Sequence, residues 1–388
     1  MLLLPPEVEL FGSSVRAAVD RELIAGDALD AGVDGRPSER AVALMRQLGI
    51  SAIPVPEADG GSGGSFLAFA AAIAEVSRAS FATAAFVGGA AQVARAILRF
   101  GSQPQIEKWI GPLLRHDVFS SWAFTEPATG SDPRQIETRA THDGSDWVIS
   151  GEKTFITLAP VASVAVVFAA TSPGRLGAFV VDTSTPGWHV GAPIPLLADG
   201  FLTAPVRLDE VRVPADAVLG DPDDGFAVLI ATEAEAKVRG CATCVGISER
   251  AVEEATRYAL IREHRGVPIG RKFPTIQSLL GTMHARTLAA RSLTMSVAAE
   301  IDAGLDVVGD AAAAKIIATQ TAREVTSDAI QVCGAYGLSR EFPIERLYRE
   351  AKVFEVVQGV VELQRIIAAR ELMKAHAGAG SVRNGSRA

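Results

Sequence analysis

The feature that most limits how this chain can fold is a double switch in its hydrophobic periodicity. Up to about residue 117 apolar residues recur at helical spacing, in SERAVALMRQLGI, FLAFAAAIAEVSRAS, AAQVARAILRF and QIEKWIGPLL. Between about 118 and 224 the pattern becomes short runs rich in Val, Thr and Phe, bounded by Gly, Pro and Asp. WVISGEKTFIT, VASVAVVFAAT, LGAFVVDTST and FLTAPVRLDEVRV read as strands. From 225 the helical spacing returns, first in a long run that continues through RYALIREHR and last in GVVELQRIIAARELMKAHA. This order predicts an α+β chain. Residues 1–117 form an all-α domain, 118–224 a β sheet or small barrel, and 225–377 a bundle of four or five long antiparallel helices. The tail GAGSVRNGSRA, 378–388, is expected to be disordered.

With 388 residues the chain is too long for one small core. The net charge of −8 comes with no basic stripe, which argues against a nucleic-acid partner. Three cysteines (Cys241, Cys244, Cys333) cannot form a disulfide framework and suit a reducing cytoplasm. Cys241-x-x-Cys244 falls inside an Ala-rich helical run and reads as small core residues rather than a redox pair. MLLLPPEVEL has no basic start and is cut by Pro5 and Pro6, unlike a signal peptide. The apolar run around residue 70 is broken by Glu75 and Arg78, so no segment reaches the roughly 20 apolar residues that span a bilayer. The glycines between 60 and 64 follow Pro54 and Pro56, not a strand, and predict a plain turn.

Five segments, in order along the chain, resemble one family. WAFTEPATGSD (122–132) is similar to the TEPxAGSD signature of acyl-CoA dehydrogenases, and ISGEKTFIT (149–157) to their GxKxWIT. RVPADAVLG (212–220) is similar to the end of their β domain. RYALIREHRG (257–266) and IQVCGAYGLSREFPIERLYREAKVF (330–354) resemble two of their C-terminal motifs. The resemblance implies an N-terminal α domain, a middle β domain and a C-terminal four-helix bundle that bind FAD, usually as a homodimer or homotetramer.

Residue by residue, the resemblance places Trp122 and Thr125 at the flavin ring, with Gly130 and Ser131 offering backbone and hydroxyl donors. Phe155 takes the ring-stacking position and Thr157 the place beside the reactive nitrogen. Arg262, from a neighbouring subunit, would meet the pyrophosphate, and Gln331 the adenosine side. The family's reaction removes an α-proton with a carboxylate while a hydride leaves for the flavin. In most members a Glu does this from a YEGT segment, which here reads VVQGV, so the aligned residue is Gln358. An amide does not accept a proton at neutral pH. In other members the Glu precedes an Arg on the long helix. That Arg is Arg239, and its predecessor here is Val238. Glu235, one turn before Val238, and Glu355 and Glu362, which flank Gln358, are the carboxylates that could stand in; the bland reading of each is a solvated surface charge.

Further departures weaken the adenosine side. Arg265 replaces the family Phe, Ala335 a Gly, and Val360 a Thr. Three functions fit the resemblance. One is a hydroxylase that takes reduced, diffusible FAD from a separate flavin reductase and uses dioxygen on an aromatic or other small natural-product substrate. The second is an acyl-CoA dehydrogenase with a relocated base, and the third a base-less subunit of a heteromeric dehydrogenase. The missing carboxylate places the hydroxylase narrowly first.

Overall fold

The computed structural model describes residues 4–24 and 36–383, with side chains as far as 377. The chain divides into two compact units, Pro5–Glu233 and Ala234 onward.

The first unit opens with five helices: α1 (Pro6–Val19), α2 (Glu39–Leu48), α3 (Phe66–Ala79), α4 (Phe81–Phe100) and α5 (Gln103–Leu114). Serines start four of them. The hydroxyls of Ser38, Ser65 and Ser80 accept hydrogen bonds from the amides of Ala41, Ala68 and Thr83, and the Ser102 amide donates to Oε1 of Gln105 (2.9 Å). Ser80 is extended, so it ends α3 and caps α4 in one residue. By length and composition α4 could cross a bilayer, contrary to the sequence reading, but 67% of its most apolar window is buried inside the protein. The Gly60–Gly64 stretch is a turn whose amides are already used. Ser62, Gly63 and Gly64 donate to the carbonyls of Ala52, Val55 and Ile53.

A seven-stranded sheet follows: β1 (Phe119–Ala123), β2 (Arg139–His142), β3 (Asp146–Thr157), β4 (Ala162–Ser172), β5 (Arg175–Asp182), β6 (Trp188–Val190) and β7 (Thr203–Pro214). The order is β1-β4-β2-β3-β7-β6, with β5 also paired to β4. β4 explains why its sequence shows no polar alternation. Val164, Val166 and Phe168 face a cluster that includes Trp109, Ile110 and Leu113 of α5. Ala165, Val167 and Ala169 face a second cluster with Ile149, Phe179 and Val211. Both faces of the strand are buried, so both sets of alternate residues are apolar.

α6 (Gly225–Ile261) runs from the first unit into the second, which also holds the hairpin β8 (Glu263–His264) and β9 (Val267–Pro268) and the helices α7 (Ile269–Lys272), α8 (Pro274–Asp302), α9 (Val308–Cys333), α10 (Pro343–Val356) and α11 (Val361–Arg383). α9 lies against α8, α10 and α11. One sequence expectation needs correction. The helical run does not continue through REHR: α6 stops at Ile261, and Arg265 (φ 54°) and Gly266 (φ 73°) form the left-handed turn of the hairpin. The helical backbone of α11 is described through Arg383. Residues 384–388 lie outside the described residues.

Candidate functional site

In the first unit two of the quoted motifs are joined by a buried ion pair. Lys153 of β3 has no exposed side-chain surface, and its ammonium lies 2.7 Å from Oε1 of Glu126, whose side chain is 2% exposed. The same ammonium donates to the carbonyls of Phe168 (2.6 Å) and Phe124 (3.2 Å). The Glu126 carboxylate accepts from the amides of Glu137 (2.6 Å) and Thr138 (3.1 Å). Burial pushes the Glu126 carboxyl up, but the charge and hydrogen bond of Lys153, together with the bonds from Thr138 and Glu137, outweigh it and the net shift is downward. Burial lowers the Lys153 ammonium to about 8, with Glu126 opposing. Both partners are therefore charged at neutral pH. The pair belongs to the TEP and GEK triplets, whose sequence alone does not show that Glu126 and Lys153 meet.

The pair locks the loop after β1 onto a kink in β3. The Thr154 amide donates to the Thr125 carbonyl (2.9 Å), and the Ser121 hydroxyl to the Thr157 carbonyl (2.8 Å). Between Lys153 and Ile156 the β3–β7 register slips, and Phe155 takes φ 55°. A bulky residue in the left-handed region costs on the order of 1 kcal/mol. The kink turns Phe155 outward, 53% exposed, while Ile156 stays buried. Thr125, Thr157 and Trp122 are half-buried, and Trp122 leans on Phe168 with ring centroids 5.1 Å apart. Gly130 and Ser131 are exposed. A strained, solvent-facing phenyl ring on a strand stitched to hydroxyl-bearing neighbours suits a flat conjugated ring with polar atoms at its rim. These residues therefore fit the ring end of a flavin.

In the second unit the break between α10 and α11 carries Gln358 at φ 57° and Gly359 at φ 82°. Lys315 of α9, 2% exposed, donates to the carbonyls of Val357, Gln358 (2.9 Å) and Gly359 (2.6 Å). In the amide orientation that satisfies both neighbours, Gln358 donates to the Ala236 carbonyl (2.9 Å) and accepts from Nη2 of Arg239 (2.6 Å). Arg239 is buried, and burial lowers its guanidinium to about 10. The structure thus joins Gln358 and Arg239, two residues 119 positions apart in the sequence. Val238 has no exposed surface, and Glu235 is 9% exposed, one turn before Arg239 on α6.

The other candidate carboxylates are placed differently. Glu355 pairs with Arg323 (2.8 Å) and Lys352, and Glu362 is exposed. Arg262 and Gln331 stand exposed at the end of α6 and on α9. Near Arg262 an aromatic group of Tyr258, Tyr336 and Phe342, centroids 5.4–6.2 Å apart, was not anticipated from sequence. All three thiols are buried. Burial pushes Cys241 up to about 12, Cys244 well above its ordinary value and Cys333 to about 11, which makes them inert.

Comparison with known proteins gives a consistent result. Family models for the N-terminal, middle and C-terminal domains of acyl-CoA dehydrogenase match residues 5–117, 121–211 and 223–373. The "Probable acyl-CoA dehydrogenase YngJ" of Bacillus subtilis is 35% identical over 337 residues, 85% of this chain and 88% of that one. A 3-(aryl)acrylate reductase of Clostridium sporogenes is 33% identical over 339 residues, 86% of this chain and 90% of that one. The solved structure of butyryl-CoA dehydrogenase from Megasphaera elsdenii superposes with a TM-score of 0.91 at 28% identity, covering 96% of this chain and all of that one.

Proposed function

The chain belongs to the acyl-CoA dehydrogenase family, and from that premise we propose that it is an FAD-dependent oxidoreductase whose residue 358 binds and orients instead of removing a proton. The observation that carries this is the amide of Gln358, held between the Ala236 carbonyl and the Arg239 guanidinium. Both ends of the amide are used, and neither accepts a proton near neutral pH. This favours hydroxylation of an aromatic or other small natural-product substrate. Reduced FAD would supply two electrons to dioxygen, one oxygen entering the substrate and the other leaving as water.

In this reading Phe155, Thr125, Thr157 and Trp122 hold the flavin ring, and Gly130 and Ser131 donate to the cofactor. Arg262 and Gln331 serve its pyrophosphate and adenosine ends. Arg239, Val238 and Glu235 form the substrate-side wall of α6, with Gln358 laid against it. A separate flavin reductase supplies the reduced cofactor to a cytoplasmic homodimer or homotetramer. The domain limits 1–117, 118–224 and 225–377 belong to the same proposal. The test supplies NADH, a flavin reductase, oxygen and a panel of indoles and phenols. An oxygenated product is expected, and none across a broad panel contradicts the reading.

A second reading is supported by the relatives, whose names describe dehydrogenases and reductases. Here the chain desaturates or reduces an acyl thioester, and Glu235 exchanges the α-proton. Its test is anaerobic bleaching of bound flavin by an acyl-CoA. Bleaching that Glu235→Gln abolishes would establish it and displace the first reading.

A further inference from the structure

We infer that Lys315 is the positioning residue for Gln358. The two helices on either side of residue 358 do not fix it by themselves. α10 ends at Val356 and α11 starts at Val361; the Val360 carbonyl accepts the first amides of α11, from Leu363 and Gln364, which leaves the carbonyls of 357–359 to find partners elsewhere. A third helix supplies what is missing. The Lys315 ammonium has three donors, and they go to three consecutive carbonyls, those of Val357, Gln358 and Gly359. Gln364 adds a bond from Nε2 to the Gly359 carbonyl (3.2 Å). The partners are 42, 43 and 44 residues from Lys315, so the contact is tertiary.

Several costs are offset by this arrangement. A buried ammonium is costly unless its hydrogen bonds are filled, and a cation at the end of α10 also meets the negative pole of that helix. A glutamine at φ 57° is in a sparsely populated conformation, and such residues persist only where their surroundings over-determine them. With the three carbonyls gathered on one ammonium, the break holds a single shape, and that shape lays the Gln358 amide on Ala236 and Arg239. Lys315 acts through the backbone of 357–359 and holds the amide in register with α6.

The catalytic consequence rests on the function proposed above; the placement itself does not, and the experiment separates them. Full-length, FAD-loaded protein is compared with Lys315→Met and Lys315→Arg by hydrogen exchange resolved to the segment 353–365. The Met variant is expected to raise exchange in that segment about tenfold while α8 keeps its protection, and Arg, which retains charge and donors, to recover most of it. If the Met variant does not fold, Gln364→Met, which removes only the auxiliary bond, is expected to raise exchange in the same segment by a smaller factor. Unchanged exchange in 353–365 in the folded variants overturns the inference.

In turnover, Lys315→Met is expected to lower kcat about tenfold with KM within about twofold, because an oriented group is loosened rather than a binding surface removed. Combined with Gln358→Ala, Lys315→Met is expected to slow the enzyme no further than Gln358→Ala alone. Multiplying effects would show that Lys315 acts by another route and would overturn it. The exchange experiment needs no substrate, so it retains its meaning if the hydroxylase reading fails.

Discussion

Gly240 shows how tightly residue 358 is seated. A Cβ at this position of α6 would lie 2.7 Å from the end of the Gln358 amide and 2.9–3.0 Å from the Phe354 ring. Gly240→Ala should therefore push the amide off Arg239 and destabilise the second unit by about 1–3 kcal/mol, read from the midpoint of urea unfolding. In the first unit the corresponding test is the Glu126–Lys153 pair. Glu126→Gln leaves a buried ammonium without its counter-charge, and removing one partner of such a pair costs about 3–5 kcal/mol. Glu126→Gln combined with Lys153→Met should recover most of that loss in chemical denaturation. A double variant as unstable as Glu126→Gln would contradict the assignment. At this scale the sequence singles out a residue that sits inside a recognisable motif, as with Thr125, Phe155 and Gln358, whose roles belong to the proposal above. It was not legible where the partner lies far along the chain. The Lys153 and Lys315 contacts span 27 and 42–44 residues, and no one-dimensional pattern marks them.

Among the elements, the peptide after α5 carries a pH dependence of its own. His116, at φ 54°, packs edge-on against Phe86 and lies 3.3 Å from the Ser51 hydroxyl. Burial lowers its imidazole to about 4, with Arg46 adding to the shift and Asp117 opposing it. The folded protein thus keeps His116 neutral between pH 4 and 6.5, while the unfolded chain takes up a proton there. The contribution is complete above about pH 6.5 and is lost as the pH falls toward 4, up to about 3 kcal/mol. His116→Asn, which tolerates the left-handed backbone, should flatten that slope in urea titrations at several pH values. A slope that persists would assign it to other groups. The helices and strands were readable because their periods differ, 3.6 against 2. Where α6 ends was not, since helical spacing persists past the Arg265–Gly266 turn that reverses the chain.

For the whole molecule, the helix–sheet–helix order could be read directly from periodicity, and the family from five motifs in register. The division into two compact units, with α6 running through both, could not, because it depends on contacts rather than on pattern. Burial also sets the redox character of the chain. Native protein should leave all three thiols unreacted with a disulfide exchange reagent, and all three should react once it is denatured. Fast reaction of Cys241 or Cys244 in the native state would revive the redox-pair reading.

The most direct measurement is anaerobic mixing of FAD-loaded wild-type protein with a graded panel of acyl-CoA thioesters, following the visible band of the oxidised flavin and the thioester products together. With an amide at 358 and no proton removed there, the oxidised band should persist and no enoyl thioester should form. Stoichiometric bleaching accompanied by enoyl-CoA would contradict the account and identify the chain as a desaturase whose base lies elsewhere.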